Sequence, residues 1–468
     1  MNTSLEIALF VIMASALLVL MLEAIGNRPA RPTGLEIEYE KPHIKLLTLG
    51  ALFTALFIIF FDLSAQTLLN RRPQLFFDNI SCLFLIINTI ISVHIGHKTL
   101  AKHAHKDVFF LLLASLSLGL IIIWTDYILL KLLGSTAWLL IIAALASKTT
   151  EGGKKAEIAL KLSYSAVVIF LCLLFSLYFL SFSSPTLALA DISFESSHER
   201  PAALIGIIFF AIAGLNLAGV APFSFAHVDC AFGSNLSTSF LIISNSMILG
   251  SSFLMDSKNI LIAAGPPFNN FLPILGFVLV AGLIISWLRA LDQSKIRRCV
   301  TYIAASVSPL FCLSLLFGNS ALLPKLIFLL ALFIFATLVI FALFASLAYL
   351  EPLDLPWQTW EDMAGLGRTN QIQAVYLLIA LASVAGLPGT LGYFIKLSLI
   401  APMHESGWFN LMIFASIAIG ASCTMRFFVF LFSKHAPSDL QNANKAPPYS
   451  LLFASIILII LGFFPFVR

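Results

Sequence analysis

The chain has little charge. Asp, Glu, Lys and Arg make up only 11% of its 468 residues, while hydrophobic residues make up 60%. Soluble domains carry about 25% charged residues, so a water-facing surface of the usual kind is excluded. The six cysteines (Cys82, Cys172, Cys230, Cys299, Cys312, Cys423) are scattered and form no CxxC pair. Zinc and iron–sulfur spacings are thereby excluded, and the thiols read as small buried hydrophobes. No glycine-rich phosphate loop follows a strand pattern, so a nucleotide site is not expected. The net charge of +4 is too modest to point to nucleic acid. No catalytic centre, metal site or cofactor is expected on this chain. No composition shift marks a second domain, and residues 1–468 read as one transmembrane unit.

What the chain has in abundance is long apolar runs. Runs of about 17 to 25 residues read as membrane-spanning helices. About fourteen are expected, over 4–25, 44–62, 76–94, 108–124, 126–147, 159–182, 202–222, 236–255, 268–288, 299–317, 324–349, 373–400, 407–433 and 449–467. The first is no cleavable signal, because Glu6 is its only early charge and no small-residue cleavage site follows. Only Thr125-Asp126 punctuates the fourth and fifth runs, which read as a tight hairpin.

Orientation follows from the cations. Seventeen of the 27 Lys and Arg residues fall on odd-numbered connections, including Arg28, Lys102, Lys154 and Arg298. Six fall on even connections or the far end: Arg71, Arg72, Arg200, Lys258, Lys325 and Arg468. Positive residues mark the cytoplasmic side. Both termini are therefore expected outside, in a bacterial inner membrane. His94, His97, His103 and His105 stand among Lys98, Lys102 and Lys106 and read as a hydrated basic loop rather than a metal site.

Two runs are interrupted. One carries Ala385-Gly386-Leu387-Pro388-Gly389-Thr390-Leu391-Gly392, then resumes around the single charge Lys396. It is preceded by Glu361-Asp362-Met363-Ala364-Gly365-Leu366, a short amphipathic turn. The other reaches Pro222. Proline removes a backbone donor, and the freed carbonyls need partners from protein or water. Broken helices at membrane depth mark ion paths in many transporters. Gly386, Pro388, Gly392 and Pro222 are thus the expected break points.

Four cations lie inside runs: Lys131, Lys161, Lys396 and Arg426. An intramembrane ammonium costs about 2.5 to 3.5 kcal/mol on insertion scales. Lys396 lies deep, eight residues past Pro388, and reads as a proton relay, since a lysine held away from water can exchange its proton near neutral pH. Lys161 stands one turn after Glu157, an i,i+4 pair on one helix face; relay and snorkelling to the interface are both open. Lys131 either faces the interior, where it needs a partner, or sits near the outer interface. His227 and Asp229 follow the second break, as a relay element or as a polar cluster capping the next helix. Arg426 stays charged and is expected to fix a carboxylate or tune a lysine.

The segment Ser383-Val384-Ala385-Gly386-Leu387-Pro388 through Gly392 and Lys396 resembles the S-L-A-G-I-P-x-x-x-G-F-x-x-K signature of the antiporter-like membrane subunits of complex I. Glu361 to Leu366 resembles that family's E-D-x-x-G-L. Ala290 to Tyr302 resembles A-L-x-Q-x-x-I-K-R-x-x-x-Y. Pro222-Phe223 with Asp229 fits P-F-H-x-W-x-P-D, and Glu157 to Lys161 fits E-A-x-x-K-Y except for the tyrosine. The motifs come in family order between about residues 120 and 435, with the subunit N branch nearest in pattern. The resemblance implies an all-α membrane protein with two inverted five-helix repeats, about 108–255 and 268–433, each with a broken helix.

It also implies proton translocation along an intramembrane lysine and polar axis, coupled to quinone reduction on other subunits. Partners would be the other membrane subunits and the lipid bilayer, with quinone met only indirectly. Where the family has a fifth-span glutamate, this chain has Lys131. The seventh-span lysine falls on Asn216 or Leu217, the histidine of P-F-H on Ser224, the eighth-span lysine on Asn245 or Ser246, and the tenth-span histidine near Val307. Lys131, Asn216, Asn245 and Ser246 could form a hydrated polar file, but Asn and Ser do not titrate. Two alternatives follow. One is a degenerate structural subunit that moves no protons. The other is an antiporter-type subunit of a membrane hydrogenase or a multi-subunit cation/proton antiporter.

Overall fold

A computed structural model describes residues 7, 9–18, 48–59, 73–99, 108–150, 155–182, 188–189, 200–265, 271–318, 325–350, 359–400, 407–433 and 449–463. Among them every extended element is a helix, and the sole bridge is Tyr127 to Ala188. The helices are α1 (Leu9–Leu18), α2 (Thr48–Ile59), α3 (Pro73–Thr99), α4 (Val108–Trp124), α5 (Ile128–Thr149), α6 (Lys155–Leu180), α7 (Arg200–Leu217), α8 (Ser224–Gly233), α9 (Leu236–Ala264), α10 (Phe271–Leu291), α11 (Ile296–Phe317), α12 (Lys325–Leu350), α13 (Leu366–Thr369), α14 (Gln371–Ala385), α15 (Leu391–Ile400), α16 (Gly407–Leu431) and α17 (Tyr449–Phe463). Eight are long and apolar enough to cross a membrane, and the rest include shorter apolar helices. A helix satisfies its own backbone, which is why apolar runs of this kind choose it in lipid. Many of the loop charges used for orientation lie outside the described residues, as do His103 and His105.

The bundle has a buried middle. The apolar spans of α9 and α11 are 94% buried, against 33% for α6 and α16. Helices α4 to α9 pack mainly on one another, as do α10 to α16, and α9 and α11 meet between them. The helix α3 packs on α9, α4 and α12, and Phe333 holds it there, with ring centroids 5.0 Å from Phe84 and 4.9 Å from Phe311. Without water exclusion as a driving force, such contacts rest on close packing and hydrogen bonds.

Three places differ from the sequence reading. Residues 224–233 are a helix, so the seventh run continues as α8 past its break. The eighth run does not stop at 255: α9 goes on to Ala264. The polar stretch from Asp256 to Asn259 looked like a helix end. Two of its charges are instead satisfied inside the protein, since Asp256 pairs with Lys131 at 2.8 Å and Lys258 Nζ donates to Leu316 O at 2.5 Å. Gly392 is not in the second break but is the second residue of α15. A Cβ there would lie 1.8 Å from Ser383 O.

Helix α11 is stitched to the first half along its length. Arg298 Nη2 meets Asp229 Oδ1 at 2.7 Å, and Arg297 donates to Ser234 O. Midway, Ser308 Oγ donates to Ala218 O at 2.5 Å. At the far end the carbonyl of Leu316 accepts from Lys258.

Helix α9 crosses α7 closely at Gly250, where a Cβ would stand 2.2 Å from Ala218 N. Backbone cannot yield there as a flexible side chain would. Gly250→Ala is expected to destabilise the subunit by about 1 to 3 kcal/mol, the usual cost of overpacking. Gly50→Ala, in helix α2 with nothing within 4 Å, should leave stability unchanged or raise it by up to about 1 kcal/mol. Thermal unfolding of the two variants in detergent compares them.

Candidate functional site

The second break is built around Lys396. Helix α14 ends at Ala385, and Gly386 follows with φ +78°. The left-handed turn favours glycine, and space demands it too, since a Cβ there would meet Lys396 Cδ at 2.7 Å. Gly386 N closes back on Ala382 O at 3.0 Å and Thr390 Oγ1 donates to Leu387 O at 2.7 Å. Pro388 lies in the turn itself. The carbonyl of Ala385 accepts from Lys396 Nζ at 2.7 Å. Lys396 is fully buried (0% exposed). Its ammonium thus caps the negative end of α14, where a cation is electrostatically favoured. Among the described residues no carboxylate pairs with it.

The first break has the same plan with neutral parts. Helix α7 ends at Leu217 and α8 starts at Ser224, with Pro222 between them. The Ala218 carbonyl takes its proton donor from Ser308, across on α11. Asn216, at the end of α7, is buried and tied to α6: Ser165 Oγ donates to Asn216 Oδ1 at 2.8 Å, and Asn216 Nδ2 donates to Ser165 O at 3.4 Å. Ser224 is the first residue of α8 and is buried. His227, on α8, is 2% exposed, and among the described residues its ring nitrogens meet no side-chain partner. Its ring lies against Gly219, whose Cβ would be 3.2 Å from His227 Cγ. Neither His227 nor Asp229 caps α9, whose N-cap Asn235 makes no side-chain cap bond.

At one end of the bundle Lys161 lies between Glu157 Oε1 at 2.8 Å and Asp229 Oδ2 at 3.0 Å. Asp229 also holds Arg298. Lys161 is only partly buried, within two turns of the start of α6. At the other end, Lys131 is 1% exposed. Its Nζ meets Asp256 Oδ2 at 2.8 Å, donates to Ile122 O at 3.2 Å and lies 5.2 Å from the Phe253 ring centroid. The interior reading of Lys131 holds, and its partner is Asp256.

The residues of the expected hydrated file, Lys131, Asn216, Asn245 and Ser246, are held by the protein at separate points. Asn216 binds Ser165, Ser246 Oγ donates within its own helix to Ile243 O at 3.2 Å, and Asn245 Oδ1 is buried without a partner. Among the described residues no carboxylate pairs with Arg426. It lies near the end of α16, donates to Leu291 O at 2.5 Å and stacks on Trp360 at 4.2 Å. Asp256 and Asp78 were the residues missed, one placed past a span end and the other passed over inside α3. The signal was available: Lys131 required an acid, and both lie in apolar surroundings.

The family model described as NADH:quinone oxidoreductase/Mrp antiporter, TM, matches residues 125–422. A relative from Protochlamydia amoebophila (strain UWE25), named NADH-quinone oxidoreductase subunit N, is 25% identical over 98% of this chain and 94% of its own. A chain of respiratory complex I from Thermus thermophilus superposes with a TM-score of 0.73 at 19% identity, covering 98% of this chain and 97% of that one. A chain of an archaeal membrane-bound sulfane sulfur reductase gives 0.78 at 15% identity, covering 98% and 94%.

The Ser308 bond to Ala218 predicts an asymmetry between neighbouring serines. Ser308→Ala orphans a buried carbonyl and should cost about 1 to 3 kcal/mol. Ser306→Ala loses only a bond to Ile303 O within α11 and should be near neutral. Thermal unfolding of the two purified variants makes the comparison.

Proposed function

We infer the function from membership: the chain belongs to the NADH:quinone oxidoreductase/Mrp antiporter transmembrane family. It is read as the subunit N-type membrane component of a proton-translocating NADH:quinone oxidoreductase. It would lie in a bacterial inner membrane with both termini outside, among other membrane subunits. Quinone reduction and its cofactors would reside on those other subunits. Residues 108–255 and 268–433 are read as two inverted repeats, one around the α7/α8 break and one around α14/α15.

One observation carries the reading: Lys396, wholly buried, donates to the carbonyl that the broken helix α14 leaves open. A proton on this nitrogen is held by a helix end rather than by a fixed counter-ion. It can leave without stranding a carboxylate in low dielectric. Lys161 with Glu157 and Asp229 would supply the hydrated entrance, and His227, Ser224, Asn216, Asn245 and Ser246 would hold ordered water between the charged groups.

A structural subunit is the second reading, and Asn216 favours it. The family's lysine falls on Asn216 or Leu217, neither of which titrates, and Asn216 is tied to Ser165. An antiporter-type subunit of another assembly, a membrane hydrogenase or a cation/proton antiporter, is supported by the breadth of the family description.

Proton uptake by membrane vesicles carrying the assembled complex, with NADH oxidation followed alongside, tests the reading. Lys396→Ala is expected to lower the protons moved per NADH while the complex still assembles. An unchanged yield would leave this chain a structural subunit.

A further inference from the structure

The ion pair of Lys131 and Asp256 has a third member. Asp78 lies on α3, which packs against both α9 and α4. Ser92 Oγ on α3 donates to Ser237 O on α9 at 3.1 Å, so these two helices run antiparallel, and a Cβ on Gly119 of α4 would lie 3.2 Å from Leu85 and 3.7 Å from Leu249. About two turns from that level, on the side of the α4–α5 turn, stand Asp78, Asp126 and Asp256. The groups converge from four places: Asp78 on α3, exposed Asp126 in the α4–α5 turn, Lys131 on α5 and Asp256 on α9. Cys82, one turn on from Asp78, is buried beside it. Lys258, two residues on from Asp256, donates its ammonium to Leu316 O. Helix α4 brings no charged side chain, while α7 and α12 carry theirs at their first residues, Arg200 and Lys325.

Charge balance within the cluster is uneven. One buried ammonium meets Asp256 directly and Asp78 nearby. In low dielectric, a pair of opposite charges is tolerable and an additional bare carboxylate is costly. Two carboxyl groups that share one site cannot both ionise easily, and one of them keeps a proton. The exposed carboxylate of Asp126 gives this cluster an edge on water.

We propose that Asp78, Lys131 and Asp256 form a proton-holding station, in which Lys131 balances one carboxylate and the other keeps one exchangeable proton. The proton arrives on a carboxylate oxygen and leaves it for water on the Asp126 side. No electron moves; once the proton has left, Lys131 faces two carboxylates and the station carries one net negative charge, which draws the next proton in. The station differs from the pattern implied by the family motifs. Its cation stands where those motifs have an acid, and Asp78 lies on α3, ahead of the matched residues 125–422. The proposal rests on reading the chain as a proton carrier and gives that reading an exit at the α4–α5 end.

The test uses the assembled complex in native membranes. Asp78→Asn is the informative variant because it leaves the Lys131–Asp256 pair intact. Two quantities are measured: the deuterium-sensitive infrared band of a protonated carboxyl, by difference from wild type, and protons moved per NADH. Loss of that band in Asp78→Asn, with a proton yield lowered by the same share as in Lys396→Ala and no further fall in the double variant, is the expected result. Should Asp78→Asn keep both band and yield while Lys396→Ala lowers the yield, the station is overturned and the proton-carrier reading stands. Should neither substitution change the yield, both fall together. Lys131→Met should impair assembly by leaving two carboxylates without their cation, and adding Asp256→Asn should restore it. Failure of that rescue would also count against the station.

Discussion

A carbonyl released by a helix break inside a bilayer has no water to turn to. Everything around the two breaks follows from that constraint. Each break frees a carbonyl, Ala218 in one and Ala385 in the other, and each finds one close donor. The first donor is a serine hydroxyl from another helix, and the second is an ammonium from the helix that resumes after the break. An unsatisfied group at either place would cost several kcal/mol in lipid. The donors are therefore as necessary to the fold as the apolar faces. Their chemistry differs in the way that matters for function, since a hydroxyl is fixed in charge at physiological pH and an amine is not.

The charged residues follow a related rule. Among helices α4 to α9 they gather at the two ends. Glu157, Lys161, Asp229 and Arg298 form a network that is partly open to solvent, where screening makes each pair worth little. Lys131 and Asp256 pair in a drier place, where a lone charge could not be left. Between these ends the buried polar side chains are serines, asparagines and His227. The distance between the two clusters is bridged by Ser165, Asn216 and the serine-rich α9, so water has to complete any route through this half.

Much of the fold was legible in the sequence. Long apolar runs give helices wherever backbone must satisfy itself, and Pro222 and Gly386 to Pro388 announced the breaks. The buried depth of Lys396 was legible too, because a lysine beside a break has only protein to turn to. The pairing was less so. Asp256 was read as the edge of a run because a charge after an apolar stretch normally meets water. Its partner is Lys131, 125 positions earlier, and no local pattern reports a contact that long. Arg426 misled for a similar reason: its partners are the Leu291 carbonyl and the Trp360 face, neither of which has a charge to look for.

The stitching of α11 into the first half has a mechanical consequence. It is fastened near its start through Arg298 and Arg297, in the middle through Ser308, and at its end through the carbonyl of Leu316. By the rise of an α-helix these fastenings span about 30 Å, most of a bilayer's apolar thickness. Rocking one half against the other, the motion by which many transporters built of repeats expose a site alternately to each side, would have to open all of them at once. These contacts tie α11 to the helices α7 to α9 along that whole length. A transport cycle in such a frame has to be carried by rotating side chains, migrating protons and transient chains of water, with the helices as fixed walls.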